Sequence, residues 1–434
     1  MSRRVLMVAY FFPPMGDGGV FRSLKLARYL PRHGWEPVLL CGRPEDYWVR
    51  DASLLDELPT SLEVHRVGGL TGQSLLRRLR RGGATGGDAT ASGSRSSGLF
   101  RRLRRLGDWM TLPDAYAGWI APARRAGAER LAAGDIDLIY SSSPPDSAHR
   151  VAGPLAARAG LPWVADFRDP WFNLHLKTPP TPLHRALHRR MEARVLREAQ
   201  VVAVTEGWRR YYAERCARPP VLIRNGFDPA DYEGLAASAR ADGLLHLLHT
   251  GKLSLTRSAR PLLEGFAALR ETRPALAERA RLHFLGPRES DNEAAVAALG
   301  LEPLVRFEDS VPHAESVARQ AAADLLLLIK HDDPRYRDLI PGKFYEYAAA
   351  GPPILAMTPA GEIETLLREH ALGWTCRPRA ESVRDALGEA LSALDEGRWT
   401  RRPAPEAFSR QAQAAAMAAL FDACVERAAK GGRS

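Results

Sequence analysis

Cysteine is scarce in this chain. There are four in 434 residues, Cys41, Cys216, Cys376 and Cys424, and no two stand at a CxxC spacing. That excludes a disulfide framework and a cysteine zinc site, and it fits a reducing compartment. Long apolar runs are missing as well. The run VLMVAYFF near the start stops after eight residues at Pro13-Pro14. It is too short for a signal segment with its cleavage site, and far below the ~18 residues that span a bilayer. The expected location is therefore cytoplasmic. Acidic balance is lacking too, since the net charge is +10, yet the excess is local. Nine arginines and one acid, Asp88, lie between Leu75 and Leu106, so 9 − 1 = +8 of the total sits there and 10 − 8 = +2 is left for the remainder. Aromatics that could stack on bases are nearly absent from that insert, with Phe100 the exception, which argues against a nucleic-acid-binding protein. A strong metal constellation is also missing. His331-Asp332-Asp333 looks like a fragment of one and reads more simply as a solvated loop.

What remains is an ordinary globular composition, 45% hydrophobic and 26% charged, in a chain long enough for two or three domains. The first 230 residues alternate between apolar strand runs (RVLMVAYF, EPVLLCG, IDLIYSSS, PWVADF, QVVAVT, PVLIRNG) and helical periodicity. The helices begin at Val20, where Phe21, Leu24, Ala27 and Leu30 share a face, and continue through DSAHRVAGPLAARAG, LHRRMEARVLREA and GWRRYYAER. A second series follows a short Ala/Gly-rich linker: LLHLLHTG, RLHFLGP, LVRFEDS, DLLLLIKH, PPILAMT and GWTCR. A last helix has no strand after it. Such alternation predicts parallel sheets with right-handed crossovers in two α/β domains. The expected boundaries are 1–232, 240–404 and a final helix at 405–430. An insert at 70–108 holds the low-complexity stretch Gly82–Gly98. Ligands of open parallel sheets sit at the carboxyl ends of the strands.

Two stretches carry chemistry. HTGKLSLTR places Lys252 after a strand-ending glycine and Arg257 five residues later. Two cations in one loop suit a diphosphate, and the plainer reading is a pair of solvated surface charges. DLIPGKFYEYAAAGPPI sets Pro341 and Gly342 at the start of a helix, Glu346 one turn inside it and Gly351 at its end. Helix N-termini attract anions, and Gly342 lets a ligand approach. A carboxylate at Glu346 suits a vicinal diol better than a phosphate, and Asp338 lies in the turn before the helix. A diphosphate flanked by hydroxyl-bearing groups on both sides is a nucleotide sugar.

These residues resemble the E-x7-E motif of the retaining glycosyltransferases of family 4. Glu346 stands at the second acid, which binds the nucleotide ribose, and Asp338 at the first, which contacts the transferred sugar. The family usually has Glu where this chain has Asp338. Gly251-Lys252-Leu253 with Arg257 resembles the family's Gly-Arg-Leu and following Lys, with the cations exchanged, and Lys343 follows Gly342 in the helix start. YFFPPMGDGGVFRSLKLARYL resembles the first loop and helix, in which Gly18 and Gly19 approach the sugar phosphates and the acceptor. SSSPPDSAH and VADFRDPW resemble segments of a branch found in surface-polysaccharide and natural-product clusters, and RNGFD resembles the Asn-Gly-Ile/Phe-Asp at the end of the family's N-terminal domain. The resemblance covers nearly the whole chain outside the insert. It implies the GT-B fold, two facing Rossmann-like domains with a C-terminal helix crossing back to the first.

It further implies a UDP-, GDP- or dTDP-sugar donor, transfer to an acceptor hydroxyl, and no cofactor or essential metal. On the acceptor side the candidates are Asp166, Asp169 and His149. Either acid could position or deprotonate a hydroxyl, or could brace a loop with Arg168, for which bracing is preferred. His149 could equally cap or pack. A sugar-nucleotide 2-epimerase shares this fold and donor site and is the enzymatic alternative. A dinucleotide dehydrogenase would want an acid after the second strand, which ends LLCGR. In the insert, RRLRR at Arg77–Arg81 and again at Arg101–Arg105 is flanked by leucines. Each copy reads either as an amphipathic arm for an anionic membrane surface, such as the inner face of the plasma membrane, or as a solvated loop.

Overall fold

The computed structural model describes residues 2–69, 111–172, 179–235, 242–253, 257–330 and 332–431. The two RRLRR copies lie outside them. The chain divides into two compact units. One is Met1–Arg224 together with Gln413–Ser434, and the other is Asn225–Ala412.

The first unit is built on a seven-stranded sheet, β1 (Arg3–Val8), β2 (Trp35–Gly42), β3 (Glu63–Val67), β4 (Leu138–Ser143), β5 (Trp163–Phe167), β6 (Gln200–Ala203) and β7 (Val221–Leu222), in the order 3-2-1-4-5-6-7. Every pairing is parallel. β1, β4 and β5 are apolar or small along most of their length because helices cover both faces of the sheet. The helices are α1 (Phe21–Tyr29), α2 (Ile120–Leu131), α3 (Ser147–Ala159), α4 (Pro182–Glu198) and α5 (Glu206–Ala213).

The second unit repeats the plan with six parallel strands, β8 (Leu245–Thr250), β9 (Ala280–Leu285), β10 (Val305–Glu308), β11 (Leu325–Ile329), β12 (Ile354–Met357) and β13 (Gly373–Cys376), in the order 10-9-8-11-12-13. Its helices are α6 (Arg260–Thr272), the single turn α7 (Pro274–Ala277), α8 (Ser290–Ala298), α9 (His313–Ala321), α10 (Gly342–Ala350), α11 (Glu362–Glu369) and α12 (Ala380–Asp395). Two buried clusters hold this unit. Leu263, Phe266, Leu282 and Leu391 anchor the first, and Phe344, Tyr347, Leu326 and Phe408 the second.

The strandless last helix, α13 (Arg410–Gly431), ends in the first unit. Ala414, Met417 and Phe421 join the core of Trp35, Leu39 and Tyr140. The Phe421 ring meets Trp35 edge-on at 5.2 Å, and Asp422 accepts from the Trp35 indole at 3.1 Å and from Arg3.

Two elements escape a reading of periodicity. β3, EVHRV, is half-buried throughout and polar at most positions, as an edge strand can be. α2 is rich in small and charged residues, and it packs through Gly127, where a Cβ would stand 2.6 Å from Leu155. In each unit the strand order reverses at one point, between β1 and β4 and between β8 and β11, and ligands of such sheets bind outside the carboxyl ends there.

Candidate active site

In the second unit, β8 ends at Thr250 and the chain turns through Gly251, whose φ is +92°. Only glycine takes that conformation without strain. A Cβ at this position would also stand 2.9 Å from Lys343 Nζ. Lys343, in the first turn of α10, reaches across the turn and donates to the Thr250 carbonyl. Tyr347, one turn further on, receives the Thr250 amide at 2.8 Å on its buried hydroxyl. These contacts fix the start of α10 against the end of β8. Pro341 occupies the cap position rather than the first turn, in an extended conformation, and no side chain caps the helix. A Cβ on Gly342 would meet open space, so the amides of the first turn have no covering side chain at that residue. Gly351 closes α10 in the left-handed conformation.

The sequence assigns Lys252, Arg257 and Lys343 to the donor. Lys252 is exposed, whereas Lys343 and the half-buried Arg257 stand close enough to feel each other's charge. Burial first, then Arg257, pushes the Lys343 ammonium down to about 8, with Glu346 pulling the other way. The Arg257 Nε is buried and meets no acceptor among the described residues. Behind them, burial holds His249 well below its ordinary value, and Lys343 and Arg257 lower it further. It is therefore a neutral imidazole, with Nδ1 at 2.8 Å from the Leu327 carbonyl. Glu346 is half-buried one turn into α10, and its carbonyl accepts from Tyr232 at 3.0 Å.

Across the switch point, the chain leaves β11 through Lys330, which is 4% exposed. Its Nζ donates to the Arg337 carbonyl at 3.1 Å. Burial pushes it down to about 8, and Asp338 and Glu362 oppose that shift. Lys330 thus ties down the turn that carries Asp338, whose carboxylate also lies 3.6 Å from Arg337 Nε. This lysine was not singled out from the sequence. The available signal is a charge at the end of the run LLLLI, where an extended apolar strand dictates burial. Asp333 caps the short turn at Pro334–Tyr336 through the Arg335 amide, and His331 lies outside the described residues. Among the described residues no group of three or more His, Cys, Asp or Glu is gathered as metal ligands.

In the first unit, the carboxyl edge carries Gly18, Gly19, Asp166, Arg168 and Asp169. Gly18 is exposed, and its amide donates to Asp17 at 2.6 Å. Gly19 sits against Arg168, which spans the switch point by donating to the backbone carbonyls of Gly19, Ser143 and Pro144. The brace preferred for Arg168 is present, made to carbonyls instead of to a carboxylate. Asp166 differs from the expectation that it could position or deprotonate a hydroxyl. It is fully buried, its oxygens take Arg22 Nε at 2.6 Å and Nη2 at 3.0 Å, and the Tyr140 hydroxyl donates at 2.5 Å. Arg22 also donates to the carbonyls of Ile223 and Arg224 at 3.0 and 2.9 Å, where the first unit ends. A carboxylate so enclosed braces the fold and cannot meet an acceptor hydroxyl.

His149 is likewise buried, with Nδ1 at 2.8 Å from Ser141 Oγ and Nε2 at 2.9 Å from Ser143 Oγ. Burial pushes it to about 3, against the pull of Asp166, so it stays neutral and packs. The start of α3 is held by Asp114 instead, which accepts from the Ser147 amide at 2.9 Å. Asp169 remains half-buried, and burial raises its carboxyl to about 6, against the opposing charge of Arg168. It alone of the three acceptor-side candidates is both reachable and tuned toward neutral pH.

Residues 17–226 match the model of the glycosyl transferase 4-like domain. No curated protein matches the sequence. Among solved structures the chain is similar to a glycosyltransferase from Rickettsia africae, at 12% identity over 98% of this chain and 99% of that one, with a TM-score of 0.63. It is also similar to α,α-trehalose 6-phosphate synthase from Burkholderia multivorans, at 15% identity over 100% and 99%, with a TM-score of 0.61. A protein described as a UDP-N-acetylglucosamine 2-epimerase, from Listeria monocytogenes, aligns at 10% identity over 98% of each chain, with a TM-score of 0.56. Identities this low speak to the fold, which is GT-B.

Proposed function

We propose that this protein is a retaining, metal-independent glycosyltransferase that moves a sugar from a nucleotide-diphosphate-sugar to an acceptor hydroxyl. One observation carries the reading: Lys343 lies against the Gly251 turn, close enough to Arg257 to feel its charge, beside the uncapped start of α10, with Glu346 one turn along the same helix. A buried guanidinium nitrogen without an acceptor is costly, and a diphosphate oxygen would satisfy it. In this reading Glu346 takes the ribose hydroxyls and Asp338, steadied by Lys330, contacts the transferred sugar. As the bond from the anomeric carbon to the phosphate oxygen breaks, charge grows on the diphosphate, where the cations and the helix amides stabilise it. Asp169 positions or deprotonates the acceptor hydroxyl. The match of residues 17–226 to the glycosyl transferase 4-like domain supports transfer as the reaction class.

The test is mass-spectrometric detection of sugar release and transfer across UDP-, GDP- and dTDP-sugars, with and without EDTA. The expected result is turnover of one donor that survives the chelator. Loss of turnover with EDTA and its restoration by Mg²⁺ or Mn²⁺ would overturn the metal-free reading. The likeness to the epimerase supports a second reading, in which donor alone is converted to an isomeric nucleotide sugar with no nucleoside diphosphate released. The same spectra separate the two outcomes once the sugar is hydrolysed and identified. The leucine-flanked arginines of the insert support a lipid-linked acceptor at an anionic membrane face. Flotation with anionic vesicles at low salt should be lost when 75–106 is deleted. A full-length protein that fails to float would point to a soluble acceptor.

A further inference from the structure

A cavity of about 580 Å³ opens in the first unit at the edge opposite the candidate site. Its lining includes Pro162 and Trp163 at the start of β5 and Gln200 at the start of β6, so it lies at the amino ends of the strands. The carboxyl ends carry Arg168 and Asp169. The five residues of β5 separate the two edges by roughly 15 Å at about 3.3 Å per residue.

Local packing makes the hollow. Gly153 admits the Trp163 ring against α3, since a Cβ there would stand 2.9 Å from it. The Trp163 indole nitrogen is satisfied inward by Ser141 Oγ at 2.8 Å. The ring, Ala156, Leu161 and Pro162 then line an apolar wall.

Three exposed arginines from three different segments also line the hollow, Arg197 of α4, Arg218 of the loop before β7 and Arg427 of α13. Arg427 donates to the buried Gln200 Oε1 at 3.1 Å, to Cys424 Sγ at 3.3 Å and to the Ala423 carbonyl at 3.2 Å. Arg218 donates to the Glu198 carbonyl at 3.3 Å. None of the three has a carboxylate partner among the salt bridges of the described residues. The one acid of the lining, Glu198, is engaged by Arg194 at 2.8 Å. Three cations around an apolar wall, in a volume suited to a small molecule, match a phosphate or carboxylate carried on an apolar or ring-shaped body, because guanidinium forks bind such oxyanions in pairs.

We propose that this cavity is a second binding site, for a small organic anion of that kind, and that its occupant ties the last turns of α13 to α3 and α4. The site is independent of the catalytic reading, since its lining includes none of the residues that reading uses.

Phenyl phosphate is the probe, with inorganic phosphate and phenol as its two halves. Titration calorimetry is run on the full chain with saturating UDP present, so that the cations of the second unit are occupied. Phenyl phosphate should bind at least tenfold more tightly than inorganic phosphate, and phenol should not bind detectably. Binding should slow amide hydrogen exchange across 424–431. The Arg218→Ala/Arg427→Ala double variant should lose at least tenfold in affinity and the exchange protection. Lys343→Ala should keep both. Arg218→Lys/Arg427→Lys, which retains charge and is the variant to use if the alanine pair misfolds, should recover part of the loss. Absence of binding to the parent chain, or equal binding to the alanine variant, would overturn the proposal and leave the arginines as caps on helix carboxyl ends.

Discussion

At the scale of single residues, the two acids near α10 should behave differently. In the proposed arrangement Glu346→Ala removes a charge-assisted hydrogen bond to the ribose, and it should weaken nucleoside diphosphate binding by about 1.5–3 kcal/mol. Asp338→Asn should leave that binding nearly intact while turnover falls, because in the proposed arrangement its contact is to the sugar alone. Calorimetry with free nucleoside diphosphate, set beside initial rates, checks both. Equal loss of affinity in the two variants would move Asp338 to the base, ribose or phosphates.

In the proposed mechanism the pH profile follows from two shifted groups. Asp169, raised to about 6, must be ionised to accept a proton, so activity should rise as pH climbs through 6. Lys343, lowered to about 8, must be charged to hold the diphosphate, so activity should fall as pH climbs through 8. A bell in kcat/KM with limbs near those values is expected, and Asp169→Asn should flatten the acid limb only. Stability should respond to Lys343 in the opposite sense. The unfolded lysine keeps its proton up to about 10.5 while the folded one releases it from about 8, so this group's contribution to stability should increase between those values.

At the scale of elements, the Arg22–Asp166–Tyr140 cluster joins α1, β4 and β5 to the end of the first unit. Removing one partner of a buried ion pair strands the other, typically at a cost of 3–5 kcal/mol. Asp166→Ala should therefore lower the midpoint of the first unit's unfolding in denaturant while nucleoside diphosphate affinity, which the proposed function places in the second unit, holds. A variant with undiminished stability but no transfer activity would return Asp166 to the acceptor side. Arg22 itself was hidden in the sequence. The segment FRSLKLARYL reads as an amphipathic helix with Arg22 and Lys25 as surface charges, yet both are buried. α1 is covered on a wider arc than periodicity implies, and only a carboxylate arriving from β5 makes Arg22 tolerable there.

At the scale of the whole molecule, Arg257, Asp338, Lys343 and Glu346, which hold the donor in the proposed function, all lie within Asn225–Ala412, which has its own buried clusters. Residues 225–412 expressed alone should fold and bind the nucleoside diphosphate with an affinity close to that of the full chain, and should show no transfer. Circular dichroism and calorimetry check this. A folded fragment with no affinity would mean that the diphosphate needs the first unit as well.

Much of this architecture was legible from local chemistry. Apolar runs of four to eight residues alternating with helical periods dictate parallel sheets, because a strand covered on both faces has no room for polar positions. Gly251 and Gly351 could be read as turn and helix end, since both positions need a left-handed backbone. The place of Glu346 one turn into α10 followed from Pro341 and Gly342 at the helix start. Tertiary structure decided which charges meet. Lys343, rather than Lys252, lies against the Gly251 turn because α10 packs on the end of β8 through Tyr347 and Thr250. His149 and Asp166 became scaffold because the serines of β4 and Arg22 of α1 reach them from segments distant in sequence. Partners of that kind are set by the order of strands in the sheet, and the spacing of residues along one element carries no record of it.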